Sequence, residues 1–211
     1  MLSNVLLQEE LKVDIERLEL SSDLSPFTLS LKIKNFQDAT SYTKFVKNCE
    51  RLVRSSLEYK LWRDYLKDIL CVNSCAVTNE KIGEVTIDIH HHVPSLYILV
   101  SAILNRNISE ENYFSTFDIC LQVLEEHFIN NIGYVSLVSS LHEKFHSGFL
   151  AIPIEFVKGH YQNFLEKYSQ FIDEEDLEVI NQRLNIKLDN CRQYSWSVNN
   201  YPGVVGENKN E

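Results

Sequence analysis

Two groups of histidines constrain this chain more than any other feature of its sequence. Residues 90–92 are three consecutive histidines, and His142 and His146 lie four residues apart further along the chain. Alternate side chains of a strand face opposite sides, so a strand would place the first and third of the triplet on one face and the second on the other. Residues four apart on a helix share a face, so His142 and His146 could bind one metal ion together.

The spacing of apolar residues around these groups predicts a mostly helical chain. The segment 75–90, whose last residue is the first histidine of the triplet, is typical of two short strands with a turn at 79–83. Pro94 is expected to end the second strand. A further strand is expected at 27–34, and the polar stretch 196–211 is expected to be a mobile tail. Helices are predicted over 39–69 (as one helix or two pieces), 95–106, 109–128, 138–146, 154–171 and 177–188.

Length and composition favour a single sizeable core. The chain has 211 residues, of which 44% are hydrophobic. Its longest apolar stretch, 96–104, is far shorter than the roughly 20 residues that cross a bilayer, so we expect no membrane partner. Acidic residues follow closely on the N-terminus, which has no basic leader, and this favours the cytoplasm, or the host cytoplasm for a phage-encoded chain. Five cysteines, irregularly spaced, favour reduced thiols.

The charge of the chain argues against a surface that binds phosphates throughout. The formal net charge is −10 at pH 7, whereas nucleic-acid binding uses positive charge. The charges are unevenly distributed, however. Basic residues gather between 44 and 67, and acidic residues gather between 173 and 178. A local basic face therefore remains compatible with the acidic total.

Four sequence elements, in order, resemble a known family. Residues 54–63 read Arg-Ser-Ser-Leu-Glu-Tyr-Lys-Leu-Trp-Arg, residues 75–78 read Cys-Ala-Val-Thr, residues 88–94 read Asp-Ile-His-His-His-Val-Pro, and the last element, 135–146, ends in His-Glu-Lys-Phe-His. Together they resemble the small HNH (His-Asn-His) endonucleases of phages and bacteria. The resemblance implies an α+β, mostly helical fold: a ββα-metal core with a helical insertion at 95–130 and helical extensions. It implies an N-terminal extension over 1–50, the HNH-like domain over 51–170, and a C-terminal helix and tail over 171–211.

The resemblance also implies roles for particular residues. In such enzymes a histidine base deprotonates a water that attacks a phosphodiester, and a metal ion stabilises the developing charge. In this chain the resemblance makes His91 the base and makes His90, His142 and His146 the metal ligands. It gives Asn131 the role of orienting the base, and Arg54 and Arg63 the role of contacting phosphate. The ion would be divalent, Mg, Mn, Ni or Zn, and imidazole ligands favour a transition metal over magnesium.

The match is incomplete, and several residues have simpler interpretations. Nine residues before His142, where the family has its asparagine, this chain has Gly133, and Asn131 serves only if the chain is shifted. No second cysteine pair completes a zinc knuckle. Other residues also have purely structural interpretations. Tyr59 and Trp62 are typical of core aromatics, and Arg54 and Arg63 are typical of solvated charges. His127 and His160 are expected to be structural, and residues 173–176 to be a solvated helix start.

Three functions from different classes remain open on this sequence. The first is a metal-dependent DNA endonuclease of HNH type. The second is a catalytically degenerate HNH-fold protein that acts as a binding, regulatory or structural module, for example a phage protein acting on a host or virion partner. It would use the acidic surface or the helical insertion to bind a protein. The third is a histidine-rich metal-binding regulator without nuclease ancestry, a reading excluded if strands and helix pack as one ββα unit.

Overall fold

The computed structural model describes residue 36 and residues 38–189, and over these residues the protein is a mixed α+β structure that is mostly helical. This confirms the fold class predicted from the sequence. The strand predicted at 27–34 and the tail predicted at 196–211 lie outside the described residues. The elements are α1 (Ala39–Ser55), α2 (Leu57–Asp68), β1 (Ile87–Val93), α3 (Leu96–Ser109), α4 (Thr116–Phe128), β2 (Gly133–Val138), α5 (Ser139–His146), α6 (Tyr161–Tyr168) and α7 (Glu174–Leu184).

The helix predicted over 39–69 is confirmed, and it forms in two pieces. The Asp38 carboxylate accepts a hydrogen bond from the Ser41 amide at 2.6 Å and caps α1. Ser56 has extended backbone angles that end α1, and its hydroxyl accepts from the Tyr59 amide at 3.1 Å to cap α2. A single serine therefore both ends one helix and begins the next.

The sheet consists of β1 and β2, paired antiparallel, with His90 opposite Val135 and His91 opposite Tyr134. The prediction of two strands within 75–90 was wrong for the first of them, since residues before β1 form only isolated bridges. Positive φ angles at Asn79 and Gly83 turn the chain there too tightly for a ladder. The partner of β1 is instead the fully buried segment β2, which begins at a glycine whose Cβ would lie 2.5 Å from the Val93 carbonyl oxygen.

The helical insertion predicted at 95–130 lies between the two strands and consists of α3 and α4. Its second helix was predicted to begin at Ser109, which is instead the last residue of α3. The chain takes a positive φ at Glu111, and α4 begins only after Ser115. Ser115 and Asp118 cap each other's backbone amides, at 2.7 and 3.2 Å, which makes a capping box. The sequence therefore offered two serine caps, and reciprocal bonding fixed the start of α4 at the later one.

The helix predicted over 154–171 is broken. Only Tyr161–Tyr168 is α-helical, flanked by short 3-10 turns at Ile154–Phe156 and Ser169–Phe171. Gly159 has a φ of +94°, and an added Cβ there would lie 1.9 Å from a backbone oxygen, so the chain turns where a helix was expected. The last described helix spans Glu174–Leu184, three residues earlier at its start than predicted, with an acidic first turn.

The sheet contributes side chains to two hydrophobic clusters. The larger is built mainly by α1 to α4, has Trp62 fully buried within it, and includes Ile89 and Tyr134 from the strands. The smaller includes Val135 and Leu137 of β2. Helix α5 follows β2 directly and packs against both strands. None of the helices in the described part of the chain has the length and apolar character that a membrane span needs. The predicted domain boundaries at 50 and 170 stay predictions.

Candidate metal centre

The structure brings three of the predicted site residues together. His90 comes from β1, and His142 and His146 lie one turn apart on α5, where their spacing places both on the face turned to the strand. One ring nitrogen from each residue lies within 4.8 Å of the others. The two Nε2 atoms of His142 and His146 are 3.0 Å apart. The predicted ligand set therefore forms one cluster in space.

The surroundings of His90 and His146 favour the neutral imidazole, which is the form that binds metals. Burial, followed by the neighbouring His92 and His142, lowers the pKa of His90 to about 2. Burial and His142 also lower the pKa of His146. Within the described residues, the buried Nε2 of His90 has no hydrogen-bond partner. A neutral imidazole with an unused nitrogen, next to two others, is the arrangement that a bound ion would satisfy.

Asp88 orients one of the ligands, and the sequence analysis missed it. The Nδ1–H of His142 donates to an Asp88 carboxylate oxygen at 3.2 Å, which leaves Nε2 of His142 for an ion. A carboxylate behind a ligating histidine is a recurrent feature of metal sites because it fixes the tautomer and the ring orientation. Asp88 precedes His90 by two residues, so strand alternation could have predicted that both lie on the same face.

The spacing of two ring nitrogens in the cluster is compatible with a bound metal ion. Metal–nitrogen bonds of 2.0–2.1 Å in a tetrahedral zinc site put neighbouring ligand nitrogens about 3.3 Å apart. The observed 3.0 Å between Nε2 of His142 and Nε2 of His146 is close to that value. The cluster runs from buried His90 to exposed His146, so an ion there would be reached from solvent.

His92 and Arg183 lie beside the cluster, and neither was predicted to belong to the site. His92 occupies a β-bulge between His91 and Val93, is fully buried, and has no hydrogen-bond partner for either ring nitrogen among the described residues. Its carbonyl accepts from Arg183 Nη1 at 2.6 Å. The Arg183 guanidinium also lies over the Phe145 ring, 5.6 Å from its centre. No sequence pattern connects α7 to the strand, so this contact is a product of tertiary packing.

His91 lies on the other face of β1, away from the predicted ligands. Its Nε2 is 2.9 Å from Nε2 of His127, and its ring stacks on Tyr59 at 6.0 Å. His127 donates from Nδ1 to the Val123 carbonyl at 2.6 Å, so its Nε2 accepts from His91. Burial, with His127 next in effect, lowers the pKa of His91 well below its usual value. The base role of His91 stays a prediction, and this placement gives it no support.

The structure does not bring Asn131 to His91. Asn131 follows α4, where its Nδ2 donates to Glu126 Oε2 at 2.9 Å and its Oδ1 accepts from Asn163 at 3.1 Å. Glu126 is buried and also accepts from Tyr168 and Lys167. A buried carboxylate therefore draws the asparagine into a separate polar network. This arrangement therefore gives no support to the predicted role of Asn131 in orienting His91.

The two predicted phosphate contacts are exposed and differ in position. Arg54, near the end of α1, is close enough to the histidines to lower the pKa of His146, after burial and His142. Arg63, on α2, acts on Tyr59 together with Arg54, and both partly offset the rise in pKa that burial causes. Arg54 also lowers the pKa values of His91 and His127, so it is not specific to the candidate metal centre, and a DNA-contacting role for either arginine stays a prediction.

Comparisons with known proteins give one match. A family model described as a bacteriophage G278-like virion protein matches residues 4–198. No curated protein and no solved structure matches the chain.

Proposed function

Because this chain belongs to the bacteriophage G278-like virion protein family, we propose that it serves in the phage particle as a metal-stabilised binding module. In this proposal, His90, His142 and His146 bind one divalent ion, and the ion joins β1 to α5. The family's description supports a location in the particle, whereas the sequence alone favoured the cytoplasm. This function corresponds to the second of the three readings of the sequence.

One observation carries the proposal. The buried Nε2 of His90 has no partner in the described chain, and one ring nitrogen of His90 lies within 4.8 Å of nitrogens of His142 and His146, whose Nε2 atoms are 3.0 Å apart. A buried polar atom without a partner costs about 1–3 kcal/mol. Coordination removes that cost. Imidazole ligands suit zinc or nickel better than magnesium or manganese, which take oxygen ligands more readily.

The ion would stabilise the folded chain by linking segments that are distant in sequence. β1 and α5 are separated by the whole helical insertion, so their association closes a long loop. A ligand that binds only the folded state, at a free concentration one hundred times its Kd, stabilises that state by about 2.7 kcal/mol. A protein held in a virion would gain resistance to unfolding by this means.

The helical insertion is the surface proposed to bind a protein partner in the particle. On α4, Phe117 and Leu121 lie one turn apart and are 66% and 57% exposed. Large exposed apolar side chains at helical spacing are typical of protein contacts. The net charge of −10 favours a protein over bare DNA as the main partner.

The test is the metal content and stability of the purified full chain. We expect one zinc or nickel ion per chain after loading and dialysis, and a higher melting temperature with the ion than without it. His142→Ala should lose both the ion and the metal-dependent stabilisation. His160→Ala, which removes an exposed histidine outside the cluster, is the matched control and should retain both. A wild-type chain that binds no ion would overturn the proposal.

Metal-dependent phosphodiester hydrolysis is the second candidate, and one feature of the cluster favours it. Three protein ligands with the outermost, His146, exposed would leave a position for a water, as catalytic metal sites do. The test is nicking of supercoiled DNA with Mg²⁺, Mn²⁺, Ni²⁺ and Zn²⁺ in turn, comparing wild type with His90→Ala. Activity that requires His90 supports an enzyme, and inactivity with all four ions excludes it.

A further inference from the structure

His92 is a fully buried histidine for which the described chain provides no hydrogen-bond partner. Its relative exposure is 0%, and neither Nδ1 nor Nε2 is bonded. Most buried polar side-chain atoms in proteins are paired. Two unpaired nitrogens on one ring therefore require an explanation, and apolar packing alone does not provide it, because a leucine or phenylalanine would pack without that cost.

The strand presents His92 toward the metal-centre side through a β-bulge. The register of β1 against β2 shifts between His91 and Val93, so His92 has no direct partner across the sheet. Bulges re-aim the side chain they carry. Arg183 anchors this bulge through the His92 carbonyl at 2.6 Å, which holds the backbone in place. Phe145 packs against both His90 and His92, with ring centres 4.4 and 5.4 Å away.

The spacing of the rings places His92 at the edge of the histidine cluster. Imidazole rings around one tetrahedral zinc ion have centres about 5.2 Å apart, given the usual zinc–nitrogen bond lengths. The three pairs among His90, His142 and His146 have centres 5.0, 5.2 and 4.7 Å apart. The centres of His90 and His92 are 5.9 Å apart, slightly more than that spacing. His92 lies outside the group whose ring nitrogens come within 4.8 Å of one another, so its ring must move toward that group to provide a fourth corner.

We propose that His92 is the fourth ligand of the metal ion held by His90, His142 and His146, so that the chain closes the coordination sphere without a water. The inference rests on the proposed function, since it needs an ion at the cluster. Burial, followed by Arg183, lowers the pKa of His92 to about 3, so the ring is neutral, as a ligand must be. Four protein ligands are typical of structural sites, and three with a water are typical of catalytic sites.

The test is the ligand count of the loaded full chain, by X-ray absorption at the zinc edge and by the visible spectrum of the cobalt(II) form. We expect four imidazoles in the wild type. In His92→Ala we expect three imidazoles and an oxygen ligand, with zinc affinity lowered at least about tenfold. His160→Ala should keep four imidazoles. Far-UV circular dichroism of the metal-free variant checks that it folds.

Two contrary results are distinguishable. Three imidazoles and an oxygen in the wild type, with no change in ligand count in His92→Ala, would overturn the fourth-ligand proposal and leave the three-histidine centre intact. A wild-type chain that binds neither zinc nor cobalt would overturn the metal centre itself. Should His92→Ala fail to fold, the wild-type ligand count alone decides, because it separates four imidazoles from three without a variant.

Discussion

The two faces of β1 put the same residue type to different uses. On one face, His90 lies against the histidines of α5 and leaves its Nε2 free for an ion. On the other, His91 bonds His127 and packs against Tyr59 and Trp62. Burial keeps the imidazole neutral on both faces. The helices that pack against each face therefore decide the role of its histidine. Helix α5 places the other two predicted ligands beside His90, whereas α2 and α4 surround His91 with aromatic rings.

The largest expected effect comes from a substitution on the face of β1 where His91 packs against Tyr59 and Trp62, which we call the caged face. His91→Ala removes a ring from a packed core and leaves Nε2 of His127 unpaired, so we expect a loss of about 3 kcal/mol in the free energy of unfolding. Urea denaturation of the metal-free chain measures it, with His160→Ala as a control that changes stability by less than about 0.5 kcal/mol. Unchanged stability, combined with loss of a metal-dependent activity, would assign His91 to catalysis and contradict the comparison.

The next effect concerns the ligand face alone. Asp88→Asn keeps the size of the side chain but weakens its hold on Nδ1–H of His142, so we expect zinc affinity to fall about 10- to 100-fold. Competition with a chromophoric chelator measures the affinity. The stability of the metal-free chain should change little, because Asp88 is only partly buried. Equal zinc affinity in variant and wild type would show that Asp88 does not orient the ligand.

A third effect is the response of the caged face to acid. Burial lowers the pKa of His127 from 6.5 to about 4. Between these values the unfolded chain binds the extra proton, so the folded state loses stability as the pH falls, by up to about 1.4 kcal/mol per pH unit. His127→Gln removes this titration and should give a shallower fall between pH 6.5 and 4 in urea denaturation of the metal-free chain. An unchanged slope would mean that His127 does not titrate in this range.

The sequence predicted those parts of the fold that depend on local patterns. Helices α1 and α2, the first helix of the insertion and the end of α5 follow from apolar spacing, capping side chains and a glycine, Gly148, with positive φ. The predictions from the sequence failed where a contact between distant parts of the chain decides the local structure. The partner of β1 is β2, on the far side of two helices, and Gly159 turns the chain because the Ile132 carbonyl lies against it. Such contacts leave no periodic signal.

The ligand set was the predictable part of the candidate site. Helical spacing grouped His142 with His146, strand alternation separated His91 from His90, and the resemblance to nucleases joined His90 to the other two ligands. The resemblance to nucleases assigned His91 as the base, a role that its pairing with His127 does not support. Arg183 could not be predicted, since it reaches β1 from α7 through packing alone.

The most direct test of the metal centre is a crystal structure of the full chain grown with zinc, with anomalous data collected at the zinc edge. We predict one anomalous peak about 2.0–2.1 Å from a ring nitrogen of each of His90, His142 and His146. Density without a peak at that cluster, in crystals that hold zinc elsewhere on the chain, would contradict it.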